Sequence, residues 1–140
     1  MDDVALSNYI AGTHSGPVEA GRLEHSCASL LGVAAGTEIW FSHYTLIKLL
    51  LSHGDINYSH YLLMPKILLN GFIARGRQPN LLELWWIDRN SNSRSAYFIV
   101  LKVSRKGEVF VKTFHRAHLN EVGRLLRKAR REGRLIREQI

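Results

Sequence analysis

The sequence predicts an α+β chain in which helices come first, a run of strands follows, and a basic helix closes the fold. Three observations carry this. Apolar residues recur at helical spacing up to Leu69, β-branched and aromatic residues then cluster between turn signals as far as Thr113, and from Ala117 the helical period returns with most arginines off the apolar stripe. The expected architecture is a set of N-terminal helices packed on a roughly four-stranded antiparallel sheet, with a basic C-terminal helix.

Taken in order, residues 1–17 carry Gly12, Ser15, Gly16 and Pro17 without a sustained period and read as a loose arm. Residues 18–140 read as a single domain. Leu23, Cys27, Leu30 and Leu31 place a first helix over Val18 to Leu31, stopped by Gly32 and Gly36. Glu38 to Phe41 is strand-forming, and Ser42 sits where an N-cap opens a second helix through Leu51, ending at Gly54. A third helix runs from about Ser59 to Leu69. Pro65 either kinks it or begins its first turn, and Asn70-Gly71 supplies a left-handed cap. Strands are expected over Gly71 to Arg75, Leu81 to Asp88, Ser95 to Val103 and Glu108 to Thr113, separated by Gln78-Pro79-Asn80, Asn90 to Ser93 and Lys106-Gly107. The last helix, Ala117 to Arg137, puts Val122, Leu125, Leu126, Ala129 and Ile136 on one stripe.

At 140 residues the chain holds one core rather than two, and its formal charge of +7 favours a polyanionic partner through counterion release. From Glu121 to Ile140 there are seven Lys or Arg against three Glu. Arg124, Arg127, Lys128 and Arg131 are the cations of that helix expected to meet a nucleic-acid backbone. Its apolar stripe lacks the bulky aromatics of an interfacial helix, and no apolar run reaches the length of a bilayer span, so no membrane insertion is expected. Acidic Asp2 and Asp3 stand where a signal peptide is basic, so secretion by the general route is not expected, and a cytoplasmic place is expected of a protein that acts on intracellular RNA. The lone Cys27 has neither a disulfide partner nor a zinc-knuckle spacing and reads as core. Without His-Glu-x-x-His, a glycine-rich phosphate loop or a serine-hydrolase elbow, no metal and no cofactor is expected.

The chemistry concentrates at Phe110 to His118, where Lys112, Thr113, His115, Arg116 and His118 fall within seven positions. Histidine moves protons near neutral pH, arginine holds phosphate oxygens bidentately, and lysine adds charge where a transition state gathers it. Of Trp85 and Trp86, neighbours in one strand, one should be core while the other packs under a helix or stacks on a base.

The order of Leu30 to Val33, Glu38 to Leu46, Leu51 to Ile56, Tyr61 to Gly71, Tyr97 to Val103 and Val109 to His115 resembles the phage-borne nuclease domains of the barnase, EndoU, colicin and RelE-like superfamily, over about Leu30 to Arg130. That resemblance implies a metal-independent ribonuclease site on an open sheet face, found in toxins or phage-injected proteins. Carried over, the Lys-His pair at the end of the second helix falls on Ser52-His53, with Lys48 one turn earlier to supply the missing charge. The strand lysine falls on Lys102, and the Thr-x-x-Arg of the last strand on Thr113 to Arg116. The expected function is therefore RNA cleavage by attack of the ribose 2′-hydroxyl on the adjacent phosphorus. His53 and His115 would move protons, Lys102 and Arg116 hold phosphate, and Thr113 orient it, with Glu83 as a further candidate base. The alternative is a non-catalytic module on the same scaffold that binds nucleic acid or an acidic partner. Expected partners are an RNA substrate and an acidic antitoxin or immunity protein.

Overall fold

The computed structural model describes residues 18–41, 58–89 and 95–140. The expected arm over 1–17 and the helix over Ser42 to Leu51, with Lys48 and His53, lie outside the described residues. The remainder is α+β, but its sheet is larger than the sequence suggests. Strands β1 (Val18–Arg22), β2 (Glu38–Phe41), β3 (Phe72–Arg75), β4 (Leu81–Ile87), β5 (Ala96–Val103), β6 (Val109–Ala117) and β7 (Leu135–Arg137) form one seven-stranded sheet in the order β1-β2-β6-β5-β4-β3-β7. All neighbours are antiparallel except β2 and β6, which run parallel with Ile39 opposite Val109 and Trp40 opposite Phe110.

The expected four strands are thus the middle of a mixed sheet, extended by β2 and β1 on one side and by β7 on the other. Val18 to Arg22, expected as the first turns of a helix, pairs instead with β2, and helix α1 is confined to His25–Leu31. Local periodicity cannot see that pairing. The third expected helix is two pieces, α2 (Tyr58–Tyr61) and α3 (Met64–Asn70), with Pro65 in the first turn of the second, where its missing N–H costs nothing. Gly71 after it is extended (φ −70°, ψ 166°) rather than left-handed. Its need is for space, because a Cβ there would stand 2.7 Å from the Trp85 carbonyl oxygen and 2.8 Å from that of Ile67. The last helix, α4 (Leu119–Arg131), stops before Arg137, since Gly133 at φ 69° takes the left-handed turn that sends Leu135–Arg137 back to pair with β3. Ile136 consequently leaves the apolar stripe and is exposed.

The single core expected from chain length is divided by the sheet into two, because strand alternation sends apolar side chains to both faces. On one face Ile39, Phe41, Ile73, Leu82, Leu84, Trp86, Tyr97, Ile99, Leu101, Val109, Val111 and Phe114 pack with Cys27 and Ala28 of α1, Tyr61 of α2 and Met64, Ile67 and Leu68 of α3. On the other face Phe72, Ala74, Trp85 and Ala96 pack with Val122, Leu126 and Ala129 of α4. Both tryptophans of β4 are therefore core, one on each face. Among the described residues no helix is long and apolar enough to cross a membrane.

Candidate functional site

Strand β6 positions the residues that the sequence singles out. It continues past Thr113 to Ala117, so His115 and Arg116 lie inside a strand rather than at a strand-to-helix junction. Adjacent strand residues face opposite sides. Phe114 belongs to the core under α1 to α3, which sends Thr113 and His115 to the α4 side of the sheet and Arg116 to the other.

The α4 side gathers most of the candidate set. On β5, Lys102 alternates out of phase with core Leu101 and is exposed. Between Leu101↔Val111 and Val100↔Thr113 the ladder slips by one residue, and the extra residue is Lys112. Such a bulge puts two successive side chains on one face. Val111 and Phe114 both point into the same core, so Lys112 and Thr113 both project on the α4 side, and Lys112 is exposed. The face thus reads, along β5 and β6, from Lys102 opposite Phe110, through Lys112 and Thr113 opposite Val100, to His115 opposite Phe98. Four residues of strand separate Lys102 from Phe98, about 13 Å, with the Lys112-Thr113 bulge midway. Glu83 joins this face from β4, because it lies across from Val100 and alternates with core Leu84.

His115 is half-buried against Phe98, its ring centroid 5.2 Å from the phenyl centroid. Its Nδ1 lies 2.8 Å from the carbonyl oxygen of Arg116. A carbonyl only accepts, so this contact places the neutral ring's proton on Nδ1 and its basic lone pair on Nε2. Burial pushes the Glu83 carboxyl above its ordinary value, opposed by the Arg134 guanidinium 3.5 Å away.

Arg116 sits on the far face. Its Nη2 donates to Ser95 Oγ at 2.8 Å, next to buried Tyr97, whose phenol is pushed up by burial and drawn back by the Arg116 charge. His60 of α2 packs on the same tyrosine at 5.8 Å between centroids. The sheet therefore separates Arg116 from Lys102, Thr113 and His115.

The basic helix divides in two. Arg124, Arg127, Lys128 and Arg131 stand at helical spacings of three and four, opposite the buried stripe of Val122, Leu126 and Ala129. Among the described residues none of the four makes an ion pair. The remaining cations are spent internally. Arg130 donates to both carboxylate oxygens of Glu138 at 2.9 Å. Arg134 meets Glu83 and Glu132, and Arg137 meets Glu24 at 2.8 Å while donating to the Gly71 carbonyl at the end of α3. Sequence spacing finds these four but cannot tell them from the tied three, because the acids that tie Arg134 and Arg137 come partly from β4 and from Glu24, the residue just before α1.

Two aromatic residues on the α4 side escape a linear reading. Trp40 lies between core Ile39 and Phe41, and Phe110 between core Val109 and Val111, so both point away from that core. They are cross-strand partners in the parallel β2–β6 pair, half-buried, and members of neither core. Only the non-local pairing brings them together. Among the described residues no three His, Cys, Asp or Glu side chains come together as metal ligands.

No protein family, no curated protein and no solved structure matches this chain.

Proposed function

We propose that this protein is an endoribonuclease that works without metal, with its reaction site on the α4 side of the sheet. One observation carries the reading: the bulge in β6 gathers Lys112 and Thr113 onto the face that already holds Lys102, Glu83 and His115. These are the groups that phosphodiester transesterification needs. One group must take the proton of the ribose 2′-hydroxyl as its oxygen bonds to phosphorus, and another must give a proton to the departing 5′-oxygen. His115 through Nε2 and Glu83 form the proton-transfer pair among the described residues. Lys102 and Lys112 supply positive charge to the phosphorane-like transition state, and the Thr113 hydroxyl donates to a phosphate oxygen. Arg116, hydrogen-bonded to Ser95 on the far face, has a structural part in this scheme. The helix stripe Arg124, Arg127, Lys128 and Arg131 holds the RNA backbone, which positions the substrate without reading its sequence.

The test is incubation with total RNA in EDTA and mapping of the product ends. Products should carry 2′,3′-cyclic phosphate and 5′-hydroxyl groups, with DNA untouched. Cleavage at a 2′-deoxy position overturns the mechanism. A second reading, an RNA-binding module without turnover, is favoured by the engaged Nδ1 of His115 and by its packing on Phe98. Binding without any product separates it from the first.

A further inference from the structure

From the Trp40–Phe110 pair we infer that the part of the sheet face beyond α4 is a stacking platform for unpaired nucleotides, so that the substrate is single-stranded RNA. The inference rests on the RNA reading above and adds the form of RNA that the face accepts. Two large aromatic side chains side by side on β2 and β6 stay only partly buried, which is costly, and among the described residues neither belongs to the core on either side of the sheet. Their surroundings select a polyanion. Phe110 has exposed Lys102 as its other cross-strand partner and Lys112 two residues along its own strand. Neither lysine makes an ion pair among the described residues. Of the acids beside the pair, Glu19 and Glu38 are both bound by Arg22, at 3.3 and 3.6 Å, and exposed Glu108, two residues before Phe110, is outnumbered by the two lysines. The face thus offers π-surfaces flanked by unneutralised ammonium groups about one strand spacing away, the combination by which base stacking and phosphate contact are made together. Duplex RNA keeps its bases stacked inside the helix and cannot use such a platform.

The chain carries its own reporter. Trp85 and Trp86 are 1% and 5% exposed, which leaves Trp40 as the tryptophan within reach of a bound base. The probe is a 12-nucleotide single strand with 2′-O-methyl riboses, which cannot be cut by 2′-hydroxyl attack, compared with the same sequence as a blunt duplex. Wild-type emission should be quenched by the single strand and not by the duplex. Trp40→Leu should abolish the quench. Trp40→Leu and Phe110→Leu, which keep apolar volume and remove the π-face, should each weaken single-strand affinity about tenfold and leave duplex affinity nearly unchanged. Circular dichroism on each variant confirms that the fold is retained, and Trp40→Phe should restore most of the affinity. Equal binding of single strand and duplex, an unquenched wild type, or unchanged affinity in both leucine variants overturns the platform and leaves the face as a protein-docking surface. Cleavage of ordinary RNA is scored separately. Quenching without cleavage defeats the enzymatic reading alone, and cleavage without quenching defeats the platform alone.

Discussion

Tyr61 is fully buried between Phe41 and Phe114, and its hydroxyl has no hydrogen-bond partner among the described residues. An unpaired buried hydroxyl costs free energy that a phenyl ring does not, so Tyr61→Phe should leave stability unchanged or raise it by about 1 kcal/mol at neutral pH. Burial also pushes its phenol from 10.0 up to about 12. The folded pKa is the higher one, so the unfolded chain ionises first. Stability tied to the neutral phenol is present below pH 10 and drains away between pH 10 and about 12. Denaturant titrations should therefore show the wild type losing stability against Tyr61→Phe across that window; a constant difference between them would refute the assignment. On the proposed function, neighbouring residues of β6 should separate in their effects. His115→Ala should slow RNA cleavage about a hundredfold with little change in thermal midpoint, whereas Arg116→Ala should lower the midpoint by removing the hydrogen bond that its guanidinium donates to Ser95 on the far face. The residues themselves were legible in the sequence as one cluster. Their separation was not, because Phe-His-Arg-Ala carries no β-branched residue to announce that the strand runs on to Ala117.

Among elements, the bulge of β6 is one of three register shifts in the sheet, and the one that lies among the candidate site residues. Without Lys112 the strand would alternate cleanly, Val111 inward, Thr113 outward, Phe114 inward and His115 outward. The extra residue leaves the phase of the core unchanged and adds one cation to the proposed reaction face. Deleting Lys112 should thus give a protein that folds with equal or greater stability and cuts RNA at least tenfold more slowly. A deletion variant that fails to fold, or that cleaves normally, contradicts this. The central strands were readable because each has its own run of β-branched and aromatic residues between turn signals. Strands β1 and β7 were not, since five and three residues become strands only by pairing with β2 and β3. The end of α4 was within reach. Gly133 lies after the last regular apolar position, Ala129, and a left-handed stop there is the ordinary use of glycine.

At the scale of the whole molecule, the sheet divides the chain by role. Helices α1 to α3 build the larger core on one side, and the other side carries both the proposed reaction face and, on the outer surface of α4, the four cations that make no ion pair among the described residues. Net charge alone did not reveal this division. Of the seven cations after Glu121, three close ion pairs that fasten the C-terminal segment to the residue before α1, to β4 or to its own carboxylates, and these contribute little field at a distance. The two groups should respond oppositely to charge removal. Replacing Arg124, Arg127 and Arg131 together by Gln should lower affinity for unrelated RNA sequences alike and flatten the slope of log affinity against log salt by up to about 2, near 0.7 for each lost contact to a single strand. Thermal stability should hardly move, because those side chains are exposed and make no ion pair among the described residues. Replacing Arg134 and Arg137 by Gln removes nearly as much formal charge, yet it should leave the salt slope almost unchanged and lower the thermal midpoint by several degrees, since Glu83 and Glu24 are left half-buried without their cations. Equal salt slopes in the two variants would mean that RNA responds to the chain's total charge, and that the stripe on α4 has no privileged place in binding.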